Sequence, residues 1–179
     1  ELYGKIIENP QTEESAFYPR SPYACAKAYA FYMTRNYRES YNMFACNGIL
    51  FNHESPLRPL NYVSRKITNS LARYVKGQEV LLKLGNIDVG RDFGFAGDYV
   101  RAMYLMLIHK RPDDYVVATG ESNTVRDFAN AVMDYLELKY EWVGTSLEEQ
   151  CLDSKTGKPI IEIDPILYRP LEVRVTRGN

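Results

Sequence analysis

The sequence predicts an α/β fold. Helix and strand patterns alternate along the chain, one strand candidate is apolar on both faces, and the helix candidates carry recognisable cap residues. Residues 4–22 read as loop, with Pro10, Pro19 and Pro22 as breakers. Ser21-Pro22 then supplies an N-cap and a proline at the first helical position. That opens a helix to about Tyr41, with Ala26, Ala30, Met33 and Tyr37 as apolar positions. Residues 43–51 read as a strand covered on both sides, ending in the polar loop Asn52-His53-Glu54-Ser55-Pro56. The carboxyl edge of a parallel sheet is where ligands bind, so this loop is a candidate site.

The remaining elements follow in the same alternation. Asn61 to Val75 reads as a helix closed by Gly77, and Val80 to Leu84 as a short strand. Residues 87–97 read as a glycine-rich loop, Asp98 to His109 as a helix with Val100, Met103 and Leu107 on one face, and Asp114 to Thr119 as a strand stopped by Gly120. Thr124-x-x-Asp127 resembles a capping box and starts a helix to about Leu138. Tyr140 to Val143 is a strand candidate, 144–157 reads as an exposed polar loop, and Ile160 to Ile163 as a last strand. No internal repeat or low-complexity tract is visible.

Bulk properties narrow the function classes. A chain of 179 residues can bury a sizeable core. The net charge is −1 and no basic block stands out, which argues against nucleic-acid or anionic-membrane partners. Met103 to Ile108 is the longest apolar run, far short of the roughly 18 residues of a membrane span. The start shows no charged-then-apolar signal pattern, and a cytoplasmic location is expected. Cys25, Cys46 and Cys151 lack metal-site spacing, so no metal is expected; Cys25 and Cys46 are expected to be small buried fillers in a reducing compartment. The chain opens at Glu1 without Met or a helix start, which suggests the middle of a longer protein.

Tyr23 and Lys27 form a Tyr-x-x-x-Lys pair near the start of the first helix. That spacing puts a phenol and an ammonium one turn apart on one face. The ammonium favours the phenolate, which can take a proton from a substrate alcohol. Tyr62/Lys66 and Tyr135/Lys139 share the spacing in a chain of 15 tyrosines, so spacing alone does not select a site.

The surroundings select one. Glu1-Leu-Tyr-Gly4, Phe17-Tyr-Pro-Arg-Ser-Pro-Tyr-Ala-Cys-Ala-Lys27, Asn47-Gly-Ile-Leu-Phe-Asn-His-Glu-Ser-Pro56, Ser64-Arg-Lys-Ile67, Leu84-Gly-Asn86, Arg91-Asp-Phe-Gly94, Asp98-Tyr-Val100, Ala118-Thr-Gly120 and Tyr168-Arg-Pro-x-Glu-Val173 occur in this order. Over nearly the whole chain this series resembles the GDP-mannose 4,6-dehydratases, which are extended short-chain dehydrogenases/reductases. Asn-His-Glu-Ser-Pro after a strand, together with the final Tyr-Arg-Pro-x-Glu, is the specific part of the resemblance.

The resemblance implies the C-terminal part of a Rossmann-type doubly wound sheet plus a small α/β substrate-binding lobe. Residues 1–56 would belong to the NADP-binding domain and 57–179 mainly to the nucleotide-sugar lobe, with about 87–120 returning to the first. No Gly-x-Gly-x-x-Gly or Gly-x-x-Gly-x-x-Gly occurs, so the phosphate-binding half of the cofactor site is expected outside this chain.

By resemblance, Tyr23 is the base that takes the C4 hydroxyl proton of GDP-mannose while hydride passes to NADP. Lys27 holds the nicotinamide ribose and favours the phenolate. Glu1 matches the carboxylate that removes the C5 proton, after which water departs from C6. His53 and Arg58 would contact the cofactor; Asn52 the sugar or diphosphate; Lys66 the diphosphate. Asn86, Arg91, Arg169 and Glu172 would make the remaining GDP-sugar contacts. Arginine suits a diphosphate because its planar fork makes paired hydrogen bonds. A glutamate suits guanine because its oxygens accept from two adjacent N–H groups. Singly, each of these residues reads as an ordinary solvated charge; the ordered set is what raises them.

Two departures stand out. The usual arginine pair after Ser-Pro is Leu57-Arg58 here. The pattern Arg-Asp-Trp-Gly-His-Ala-Lys-Asp-Tyr becomes Arg91-Asp-Phe-Gly-Phe-Ala-Gly-Asp-Tyr99, so Phe93, Phe95 and Gly97 are expected to alter packing near Arg91. The implied activity is NADP-dependent conversion of GDP-mannose to GDP-4-keto-6-deoxymannose by a homo-oligomer, with these 179 residues alone expected to be inactive. Two other readings compete: another nucleotide-sugar epimerase or dehydratase, or a non-catalytic truncated remnant that binds GDP-sugar. Glu1 argues against a simple epimerase, which needs no C5 base.

Overall fold

A computed structural model describes residues 1–168 and 176–179. In chain order the elements are α1 (Pro22–Tyr41), β1 (Asn47–Leu50), β2 (Asn52–Glu54), α2 (Val63–Val75), β3 (Leu82–Leu84), β4 (Gly90–Arg91), β5 (Phe93–Phe95), α3 (Ala96–Leu107), β6 (Asp114–Val117), β7 (Asn123–Thr124), α4 (Val125–Tyr135), β8 (Tyr140–Val143), β9 (Gln150–Asp153) and β10 (Pro159–Ile163). They form two compact units. Unit 1 holds residues 1–55, 90–122 and the described C-terminal residues; unit 2 holds 56–89 and 123–168.

In unit 1, α1 begins as its sequence dictates. Ser21 is extended, its hydroxyl accepts from the Ala24 N–H, and Pro22 follows. The helix stops at Asn42, which takes the left-handed conformation. Strands β1 and β6 pair in parallel, Asn47 beside Asp114 and Leu50 beside Val117. Strands β2 and β5 also pair in parallel, His53 beside Gly94. Tyr3, Phe31, Ile49 and Phe51 form the core, with Leu2, Phe17, Val116 and Ala118 packed on it. Polar pins supplement it. The Asp114 carboxylate accepts from Arg38 at 2.9 Å and from the Asn47 amide at 2.8 Å, joining the end of α1 to the start of β1. That bond to Asp114 raises the Arg38 pKa further.

Unit 2 is a four-stranded mixed sheet in the order β3-β10-β9-β8, with β3 parallel to β10 and the rest antiparallel. Its core gathers Ile67 and Leu71 of α2, Ala129 and Met133 of α4, and Leu82, Cys151, Ile160 and Ile161 of the sheet. The capping box is present: Thr124 Oγ1 accepts from the Asp127 N–H at 3.0 Å, and the Asp127 carboxylate accepts from the Thr124 N–H at 2.8 Å. The Thr124 hydroxyl, then its backbone N–H, hold the Asp127 carboxyl below the usual range.

The structure departs from the sequence reading at several places. Asn52–Glu54 is a strand, not a loop, because it has β5 to pair with. The glycine-rich stretch 87–97 contains two short strands and the start of α3. Within the expected loop 144–157 lies β9, paired on both sides, with Cys151 and Asp153 buried. Cys25 is exposed and Cys46 half-buried, so neither is a buried filler; that place is taken by Cys151, whose thiol burial pushes up to about 12. Among the described residues no group of side chains could hold a metal ion, and no helix is long and apolar enough to cross a membrane.

Candidate active site

Gly4 fixes where Glu1 lies. Tyr18 N–H donates to Tyr3 O, and Lys5 N–H to Tyr18 O, each at 2.9 Å. Gly4 takes φ +61°, and a Cβ there would fall 1.8 Å from the Tyr18 carbonyl oxygen. Only glycine permits that approach, and it lays residues 1–4 alongside the segment leading into α1. The Ser21 hydroxyl donates to the Glu1 carboxylate at 3.1 Å while accepting the Ala24 N–H at 3.0 Å. Glu1 therefore sits at the N-terminus of the helix that carries Tyr23 and Lys27. The Lys27 ammonium lies 5.4 Å from the Tyr23 ring centroid, as the one-turn spacing requires.

Glu1, Tyr23, Lys27, Asn52 and His53 line one cleft of about 390 Å³, within the ordinary range of small-molecule sites. Phe31, Ile49 and Leu50 supply apolar wall. The His53 Nδ1–H donates to the Phe51 carbonyl at 2.8 Å, which fixes the ring's tautomer when neutral and leaves Nε2 as its other polar atom. Its ring stacks on Tyr99 at 5.0 Å. Burial, with help from Asp92, pushes the Tyr99 phenol up to about 12, so it stays protonated.

Arg91 belongs to the same unit, and its guanidinium donates to the Gly90 carbonyl at 2.9 Å. Asp92 anchors the Arg91 strand. Fully buried, it accepts from the Thr119 N–H (2.8 Å) and hydroxyl (2.7 Å), the Gly120 N–H (3.0 Å) and the Gly178 N–H (3.2 Å). The Phe95 ring lies over Gly97, where a Cβ would come within 2.4 Å of it. Two of the three departures in that stretch, Phe95 and Gly97, thus accommodate each other.

Arg58, Lys66 and Asn86 lie in unit 2. Arg58 stacks on Tyr62 at 4.0 Å, Lys66 donates to the Lys83 carbonyl, and Asn86 accepts from the Asp88 N–H. Arg169 and Glu172 lie outside the described residues. Of the three Tyr-x-x-x-Lys pairs, only Tyr23/Lys27 lines the cleft. Tyr62 packs under Arg58, and Tyr135 ends α4 in solvent. Sequence reasoning found Ser21 as a cap and missed its bond to Glu1, since a partner 20 positions away leaves no local signal. Thr176 was also missed; it lines the cleft with a buried hydroxyl that has no partner among the described residues.

The family model for GDP-mannose 4,6 dehydratase matches residues 1–179. The GDP-mannose 4,6 dehydratase of Drosophila melanogaster is 50% identical over 179 residues, covering all of this chain and 45% of the fly protein. That of Dictyostelium discoideum is 50% identical, covering 50% of its length, and the human protein 48% identical, covering 48%. The chain spans about half the length of the curated relatives it matches. Among solved structures, RMD from Pseudomonas aeruginosa complexed with NADPH superposes with a TM-score of 0.78 at 24% identity, over 99% of this chain and 53% of that one. The dTDP-glucose 4,6-dehydratase of Bacillus anthracis in complex with NAD gives 0.77 at 18%, over 99% and 50%. These structural likenesses establish the fold: α/β, of the Rossmann-type class found in nucleotide-sugar dehydratases and epimerases.

Proposed function

The chain belongs to the GDP-mannose 4,6 dehydratase family, and from that premise we propose that it serves the NADP-dependent conversion of GDP-mannose to GDP-4-keto-6-deoxymannose and water. The observation that carries the reading is the meeting of Glu1, Tyr23, Lys27 and His53 in one cleft. We assign unit 1 to the cofactor and the reacting sugar, and unit 2 chiefly to the nucleotide.

The donor set suits the nicotinamide-ribose end of a dinucleotide: an ammonium and a phenol on one wall, apolar Ile49 and Leu50 on another. Lys27 and His53 would hold it. When bound, a nicotinamide supplies the hydride acceptor for C4 and the hydride donor for C6. NADP is our choice, in keeping with the NADPH in the P. aeruginosa structure.

The chain's own residues handle the protons. Tyr23, beside Lys27, takes the C4 hydroxyl proton as C4 gives up its hydride, which leaves a ketone at C4. The ketone acidifies C5–H. Glu1 takes that proton, and the electron pair left at C5 forms the C5–C6 double bond as the C6 hydroxyl departs as water with a proton from solvent. Glu1 then returns its proton to C5 as hydride reaches C6, and Tyr23 releases its proton to solvent, so the protons balance. Tyr23 and Glu1 thus act on adjacent carbons, which fits their place at one end of α1. The Tyr99 ring holds the His53 imidazole in plane at the cleft edge.

The test uses the full-length protein with GDP-mannose and NADP. Tyr23→Phe should lower turnover by about 10²–10⁴-fold by removing the first proton acceptor. Glu1→Gln should keep the oxidation and lose the elimination, seen as reduced nicotinamide without 6-deoxy product. Full dehydration by Glu1→Gln would overturn the assignment.

A further inference from the structure

Ser21 holds two hydrogen bonds at once, and they run in different directions. Its oxygen accepts the Ala24 N–H and so caps α1. Its proton goes to Glu1 Oε2 at 3.1 Å, from a residue 20 positions earlier. A hydroxyl has one proton to give, so the geometry uses it on the carboxylate. Two positions later the same helix presents Tyr23, and four further on Lys27.

We propose that Ser21 is a positioning residue of the dehydratase reaction, tying the carboxylate of the eliminating step to the helix that carries the oxidising pair. The inference rests on the proposed function for its chemical meaning, though the tether itself is geometric. Glu1 is exposed, so its side chain has several rotamers open to it. A donor fixed at the start of α1 selects those that hold the carboxylate at the start of the helix that carries Tyr23. Helix capping alone would not need Glu1, and placing Glu1 alone would not need a cap residue. One hydroxyl doing both makes the separation of the two proton acceptors a property of the helix start.

The two roles separate by substitution. Ser21→Thr keeps acceptor and donor. Ser21→Asp keeps the cap, since aspartate is among the preferred N-cap residues, but offers no proton and repels Glu1. Ser21→Ala loses both. The experiment measures, in the full-length protein, thermal unfolding, the rate of nicotinamide reduction, the rate of 6-deoxy product formation, and the position of the Glu1 carboxylate by crystallography.

Ser21→Asp should unfold at the wild-type temperature and reduce nicotinamide within a few-fold of wild type. Its product formation should fall by about 100-fold, the scale of a misplaced catalytic group. Reduced nicotinamide should accumulate, and the Glu1 carboxylate should leave its place beside the helix start. Ser21→Thr should restore product formation to within a few-fold. Wild-type product formation in Ser21→Asp, or equal loss of both steps, would overturn the proposal; the second outcome would leave Ser21 a plain helix cap. A wild-type protein inert toward GDP-mannose would sink the functional reading, while the Glu1 position in Ser21→Asp would still decide whether Ser21 tethers it.

Discussion

Among the described residues, unit 2 buries thirteen side chains around one sheet, from Ile67 to Ile163, while the core of unit 1 has four. The outer faces of unit 1 contrast with that small core: Tyr29, Tyr32, Tyr37 and Tyr41 of α1, and Val100, Tyr104, Leu105 and Leu107 of α3, are exposed. Yet unit 1 holds every cleft residue. Beside its small core, unit 1 has directional bonds around the site: Asp92 with four donors, Asp114 with Arg38 and Asn47, and Ser21 with Glu1 and Ala24. Apolar burial is non-directional and tolerates small shifts. Hydrogen bonds lose strength quickly with angle and distance, so they suit a region whose side chains must be placed to fractions of an ångström. Within these 179 residues, apolar burial concentrates in unit 2, and directional bonds hold the residues around the cleft.

The comparison breaks most sharply at Leu71. This α2 side chain is 1% exposed in the core of unit 2. Leu71→Ala should cost about 2–5 kcal/mol through lost burial and a cavity. Amide hydrogen exchange should speed in α2, α4 and β10 by the matching factor, with α1 amides nearly unchanged. Equal acceleration in α1 would show that the regions open together, and the contrast would reduce to one of composition.

Asp92 is the corresponding test for unit 1. Asp92→Asn keeps the volume but replaces an acceptor oxygen with an NH₂ facing N–H donors. One or two buried donors lose their partner, at about 1–3 kcal/mol. The Thr119, Gly120 and Gly178 amides should lose protection, with unit 2 little affected. A neutral effect would mean that the small apolar core, not the pins, carries this region.

How much of this was legible in the sequence follows from the same distinction. Helix α1 was readable because Ser21-Pro22 encodes its start within two residues, and α4 because Thr124 and Asp127 cap each other three apart. Strand β9 was not: Gln150 to Asp153 is short and half polar, and its strand identity comes from β8 and β10 on either side. Asn52–Glu54 was misread for the same reason. Tyr23/Lys27 was visible as a spacing that Tyr62/Lys66 and Tyr135/Lys139 shared; the cleft distinguishes it, and a cleft is a long-range property. The close approach of Gly4 to Tyr18 and the bond from Ser21 to Glu1 escaped because those partners are brought together only by folding.

The smallest expected effect tests whether unit 2 is as purely apolar as the contrast implies. Asp153 of β9 is buried, and its carboxylate accepts from the Tyr74 hydroxyl at 2.8 Å and the Lys155 N–H at 2.8 Å. The Tyr74 bond first, then the Lys155 N–H, hold its pKa below the ordinary 3.8, against the opposing effect of burial. A carboxyl depressed on folding contributes stability that is fully present above its unfolded value and lost as the pH falls through its folded value. Tyr74→Phe should therefore cost about 1 kcal/mol at neutral pH. That deficit should shrink below about pH 4, as Asp153 takes up its proton in wild type and variant alike. Urea unfolding of both proteins across that range reads the difference directly. A deficit that stays constant to acid pH would mean that Tyr74 acts without the Asp153 charge. A deficit that fades would show a directional, charge-assisted bond inside the apolar unit, and the division between the two regions would be one of proportion.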